Sequence, residues 1–163
     1  MASAFLCCTQ FSTDFRKAGI CKFNLRFQPE FANRVCVFGN EMLSGIDVPA
    51  DTQSDYGRLL ENFIAMELKA WHDYNGRKET LCYWRTENGT EVDFVIGDDI
   101  AIEVKATRNP TSRNLEGLRK IGEERSFRQR ILVCREDMPR MTDEGILILP
   151  WRDFLHRLWK NAI

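Results

Sequence analysis

The chain has 163 residues, 44% hydrophobic and 29% charged, which suits one domain with a real core. Its formal net charge of -1 excludes a histone-like or tail-type binder, whose affinity comes from a large basic excess, but leaves room for a local basic face. Six cysteines without C-x-x-C spacing, and His72 and His156 as the only histidines, argue against structural zinc and against a secreted disulfide framework; reduced thiols in a cytosol are expected.

Met1 to Cys8 is apolar but short and has no positive residue ahead of it, so it does not fit a signal peptide or anchor, and no run approaches the ~20 apolar residues of a membrane span. Residues 1–56 carry weak periodicity, with one short strand expected at Arg34 to Phe38 and a polar linker at Pro49 to Tyr56. The expected domain runs over 57–163. Gly57 to His72 has helical spacing through Leu60, Phe63, Ile64 and Trp71. Thr80 to Arg85 is an expected strand, and Asn88-Gly89 a turn. Glu91 to Ile96 and Ile100 to Ala106 alternate with period two. Asn109-Pro110 stops the second of these, and Thr111 or Ser112 caps a helix reaching about Glu124 with Leu115, Leu118 and Ile121 inward. Strands follow at Arg130 to Cys134 and Gly145 to Leu149. Pro150 then opens a last helix with Trp151, Phe154, Leu155 and Leu158 on its apolar side. The order α-β-β-β-α-β-β-α implies an α/β domain, a mixed sheet covered by helices.

The two alternating strands carry the candidate chemistry. Val92, Phe94 and Ile96 share one face of the first, and Ile100, Ile102 and Val104 one face of the second. A three-residue loop, Gly97 to Asp99, brings both apolar sets to the same side of the sheet. With Ile96 opposite Ile100, Asp93 falls opposite Glu103 and Glu91 opposite Lys105. Directly opposed residues have Cβ atoms about 4.5–5.5 Å apart, and like charges at that separation weaken a sheet. The same separation suits two carboxylates sharing a Mg²⁺ ion, which is held by one or two carboxylates plus water and phosphate oxygens. Lys105 projects from the same face as Glu103 and is placed to orient a water or offset charge developing on a phosphate. The spacing alone leaves open an ordinary charged strand face with a Glu91–Lys105 ion pair. Glu61, in line with Ile64, Ala65 and Leu68, adds a carboxylate on an apolar helix face, where an unpaired charge is costly; its plain alternative is a solvated edge beside Arg58. Glu67 ranks second.

Glu61, Asp93 and Glu103-Val104-Lys105 resemble the signature of PD-(D/E)XK nucleases: a helix glutamate, an aspartate on a middle strand, and E-x-K on the next. The segments Gly57-Arg58-Leu59-Leu60-Glu61-Asn62-Phe63, Thr90-Glu91-Val92-Asp93-Phe94-Val95, Ile102-Glu103-Val104-Lys105-Ala106 and Leu149-Pro150-Trp151-Arg152-Asp153-Phe154-Leu155 are similar to one branch. That branch is the uncharacterised domain found C-terminal to AAA-type ATPase modules in many bacterial and archaeal proteins. The resemblance covers about 57–163. It implies a restriction-endonuclease-like core, with Asp93, Glu103 and the Val104 carbonyl binding Mg²⁺ (or Mn²⁺), Lys105 assisting the water, and Glu61 as a more variable ligand. The ATPase module itself is absent from this chain, which has no G-x-x-x-x-G-K-[ST].

Between Ala106 and Arg135 lie Arg108, Arg113, Arg119, Lys120, Arg125, Arg128, Arg130 and Arg135. The first four are the candidate phosphate contacts, set against a solvated face with pairs such as Glu116–Lys120. Trp84 and Trp151 are expected in the core, and neither histidine is assigned to catalysis. The expected function is metal-dependent hydrolysis of DNA phosphodiesters in the cytoplasm. The rival is a non-catalytic module that binds DNA or a partner ATPase. The enzyme needs Asp93, Glu103 and Lys105 together; the module needs the arginines instead.

Overall fold

The computed structural model describes residues 4–8, 19–21 and 53–163, with side chains from Tyr56 onward. The strand expected at Arg34 to Phe38, and the linker as far as Thr52, lie outside the described residues. Among the described residues, two short strands, β1 (Ala4–Cys8) and β2 (Gly19–Cys21), precede the helix α1 (Gln53–Tyr74). Then follow β3 (Leu81–Thr86), β4 (Glu91–Ile96), β5 (Ile100–Val104), a 3₁₀ turn (Ser112–Leu115), α2 (Glu116–Glu124), β6 (Gln129–Cys134), β7 (Arg140–Met141), β8 (Ile146–Pro150) and α3 (Trp151–Trp159). Helix α1 starts at Gln53 rather than Gly57, and Tyr56, expected in a linker, is buried within it.

The strands form one mixed sheet in the order β2-β1-β3-β4-β5-β6-β8-β7. The antiparallel part, β3-β4-β5, is a meander of consecutive strands, and β1 extends it by pairing antiparallel with β3. Beyond β5 the sheet turns parallel: β5 pairs with β6, and β6 with β8. The β5–β6 connection carries α2, as a parallel crossover requires. Strand β7 pairs antiparallel with β8 at the far edge and was not anticipated from its two-residue length.

Helices α1 and α3 cover one face. Their Leu60, Ile64, Leu68, Trp71, Phe154 and Leu158 pack on Phe94, Ile96, Ile100, Ile102, Ile131 and Val133. Helix α2 covers the other, where Leu118 and Ile121 meet Trp84, Val95, Ala101, Leu132 and Ile148. This explains the near-continuous burial of β5 and β6, since a strand covered on both faces reads as an apolar run. Two tryptophan N–H groups tie α1 to the C-terminal segment: Trp71 donates to Asn161 Oδ1 at 2.9 Å, and Trp159 to Glu67 Oε2 at 2.7 Å. Trp84 and Trp151 are both core residues, as expected. Among the described residues, no helix is long and apolar enough to cross a membrane.

Candidate functional site

The hairpin register is the expected one from the loop inward: Ile96↔Ile100, Val95↔Ala101 and Phe94↔Ile102, which puts Asp93 next in line with Glu103. On its other side β4 is not regular. Cys82 pairs with Val95 but Trp84 pairs with Val92, so Asp93 and Phe94 together oppose the single residue Tyr83. That is a β-bulge, a device that re-aims side chains and is common beside active sites. It breaks the expected alternation: Val92 enters the α2-side core with Val95, while Phe94 and Ile96 enter the α1-side core. Asp93 is freed from the ladder at that point. Its Oδ2 accepts the Val104 N–H at 2.7 Å, joining the two strands across the hairpin end.

Glu103 is buried, the only charged residue so placed among those described. Its Oε1 is paired with Lys105 Nζ, whereas its Oε2 is buried without a hydrogen-bond partner. Burial, and then the neighbouring Asp93 charge, push its carboxyl up to about 8, against the pull of Lys105. Burial also raises Asp93, opposed by Lys105 and the Val104 N–H. For Lys105, burial pulls downward, but Asp93 and Glu103 together outweigh it, and its ammonium is held above the usual range. Asp93, Glu103 and Lys105 are thus brought together. The expected Glu91–Lys105 pairing is not found. Lys105 lies past the end of β5 with its N–H on the Val133 carbonyl at 2.9 Å, and Glu91 faces Arg85 on β3 at 3.9 Å.

Glu61 is more exposed than the apolar helix face suggested, at the edge beyond Ile64, Ala65 and Leu68. Its carboxyl is nevertheless raised, first by partial desolvation and then by the charge of Asp93, which places it in the same electrostatic neighbourhood. Glu67 is directed elsewhere, to Trp159. Among the described residues, no three His, Cys, Asp or Glu side chains are gathered as a ready metal shell. The immediate donors are therefore two carboxylates, as in sites completed by water and substrate oxygens. An orphaned carboxylate oxygen beside a second carboxylate fits a hard divalent cation, whereas it is a poor fit to an ion-pair network, which would leave no such oxygen.

The basic candidates divide. Arg119 is held by Glu144 and the Ser112 carbonyl, and Lys120 by Glu116 at 2.8 Å and the Thr90 hydroxyl at 2.9 Å, so both sit in intramolecular contacts on and around α2. Arg108 and Arg113 are exposed. Arg135 closes the basic run read from the sequence but is not among its four leading candidates, and Arg152 lies outside that run. The Arg135 guanidinium lies 4.3 Å from the Tyr56 ring centroid and that of Arg152 4.5 Å from the Trp151 ring. No local pattern marks them, because they follow different strands 17 positions apart.

A family model described as "Domain of unknown function (DUF4143)" matches residues 56–154, from the first buried ring of α1 into α3. No curated protein and no solved structure matches the chain.

Proposed function

The chain belongs to the DUF4143 family, and on that footing we propose that its domain hydrolyses DNA phosphodiesters with the help of a divalent cation, in a PD-(D/E)XK-type site on a restriction-endonuclease-like core. The observation that carries this reading is the buried Glu103 Oε2, left without a partner beside Asp93. Asp93 and Glu103, with the Val104 carbonyl, would hold Mg²⁺ or Mn²⁺. Such an ion supplies Lewis acidity to a phosphoryl oxygen and lowers the pKa of a bound water. The protein's own part is positional and electrostatic. The Val104 N–H fixes one Asp93 oxygen and leaves the other available. Lys105 keeps its charge because two carboxylates surround it, and it is placed to hold the attacking water or offset charge on the phosphate. Glu61, at the helix edge, is the candidate for a further water contact. The association with an AAA-type ATPase module is part of the same proposal and belongs to the wider protein context, not to residues of this chain.

The test is cleavage of supercoiled plasmid with Mg²⁺ or Mn²⁺. Nicking or linearisation by the wild type, lost in Lys105→Ala and in chelator, is the expected result. No cleavage under any of these conditions would sink the enzyme reading. The second reading, a non-catalytic DNA- or partner-binding module, is favoured by one observation: the Lys105–Glu103 ion pair is already closed, as in a structural salt bridge.

A further inference from the structure

Strands β5, β6 and β8 run parallel, with Val104↔Val133 and Cys134↔Pro150 in register, so their C-terminal ends open onto one edge of the sheet. Glu103 and Lys105 stand at the end of β5, Arg135 follows β6, and Trp151-Arg152 follow β8. The loop after β5 is clamped to that after β6 by the Arg135 N–H on the Thr107 carbonyl, 2.8 Å, which brings Arg108 to the same edge. Ligands of open α/β sheets bind beyond the carboxyl ends of parallel strands.

We propose that Arg108, Arg135 and Arg152, grouped around Tyr56 at this edge, form a phosphate-binding subsite that holds the DNA backbone beside the Asp93–Glu103 pair. The inference rests on the nuclease reading for its substrate but uses different residues. The charges of Arg135, Arg152 and Arg108 all reach the Tyr56 hydroxyl, where they oppose the upward push of burial. Six arginines elsewhere in the domain are paired with carboxylates: Arg77 with Glu79, Arg85 with Glu91, Arg119 with Glu144, Arg125 with Asp98, Arg128 with Asp99 and Arg140 with Glu136. Arg108 and Arg135 have no carboxylate partner among the described residues. Tyr56 and Trp151 are 7% and 6% exposed, too buried to stack on a base. Their rings instead form shelves that hold the guanidinium planes of Arg135 and Arg152 by cation–π contact. A surface that offers guanidinium forks and no accessible ring recognises phosphates rather than bases, so binding is expected to be indifferent to sequence and strongly dependent on salt.

The experiment is fluorescence anisotropy of the full chain with a labelled DNA duplex in EDTA, across a salt series. Arg108→Ala, Arg135→Ala and Arg152→Ala are each expected to weaken binding by about tenfold, as for loss of one charged hydrogen-bonding group. Each should also lower the salt slope by about 1. Arg140→Ala, whose guanidinium is already neutralised by Glu136, should bind as the wild type does. Arg135 packs on a buried ring, so Arg135→Ala could unfold the edge; Arg108→Ala, which touches no ring among the described residues, and Arg135→Lys, which keeps the charge, carry the test in that case. Undetectable DNA binding by the folded wild type would overturn the proposal. So would equal affinity of the three variants and the wild type, an equal loss in Arg140→Ala, or a strong base-sequence preference. Cleavage without arginine-dependent affinity removes this subsite and leaves the nuclease reading standing. Arginine-dependent affinity without cleavage does the reverse.

Discussion

At the scale of single residues, the decisive contrast is between Asp93 and Glu103 with and without a cation. Unbound, the two carboxyls share a poorly hydrated place where ionising both costs free energy: burial, and then the Asp93 charge, push Glu103 up to about 8. A carboxyl whose pKa is raised on folding contributes stability that is complete below its ordinary value of 4.5 and is lost as pH rises through about 8. In chelator, the wild type is therefore expected to melt at progressively lower temperature from about pH 5 to about pH 8. Asp93→Asn removes one charge at nearly constant shape, so its decline should be shallower and its melting temperature in chelator at neutral pH equal or higher. Excess Mg²⁺ or Mn²⁺ should reverse that order, since a ligand bound only by the native state adds about 2.7 kcal/mol at a hundredfold excess over Kd. Differential scanning calorimetry of both proteins, with and without metal, measures this. Identical metal responses would reduce the pair to ordinary acidic residues.

At the scale of elements, α2 is packed tightly against β4 at Gly117. A Cβ at Gly117 would overlap the Glu91 backbone carbonyl oxygen, which cannot move without moving the bulged strand. Helix propensity alone favours Ala over Gly by about 1 kcal/mol. Overpacking against backbone costs typically about 1–3 kcal/mol and should win. Gly117→Ala is thus expected to lower the melting temperature by several degrees, at roughly 2–4 °C per kcal/mol for a chain of this size. Gly122→Ala, in the same helix, meets only the flexible Arg130 side chain and should cost much less. An unchanged melt for Gly117→Ala would mean that α2 does not sit on β4 as described. The hairpin register was legible because a three-residue loop and two apolar alternations admit one pairing. The bulge was not, since Val92-Asp93-Phe94-Val95 reads as plain alternation and only β3, a separate strand, exposes the extra residue. For Glu61, helical periodicity left both an apolar-face position and a solvated edge open, and the structure has it at the edge.

At the scale of the whole molecule, the sequence carried the helix and strand order from α1 to α3, apart from the two-residue β7, because each longer element there shows a period or an apolar run that matches the covered faces; β1 and β2, in a stretch of weak periodicity, were not legible. It could not carry the basic edge. Arg108, Arg135 and Arg152 meet only because β5, β6 and β8 lie parallel and in register, a relation between segments far apart in the chain. The same division of the sheet sets an order in time. Strands β3 to β5 join through short turns, so their contacts close small loops; the β5–β6 and β6–β8 ladders must wait for longer connections, whose entropy is lost before any contact is gained. The carboxylate hairpin should therefore form early and the arginine edge late. In pulse-labelled hydrogen exchange during refolding, amides of 81–104 are expected to be protected before those of 129–150. Simultaneous protection would mean that the sheet condenses as one unit. With the expected order, a nascent chain would carry its paired acidic residues, without the cationic edge beside them, until the last parallel strand docks.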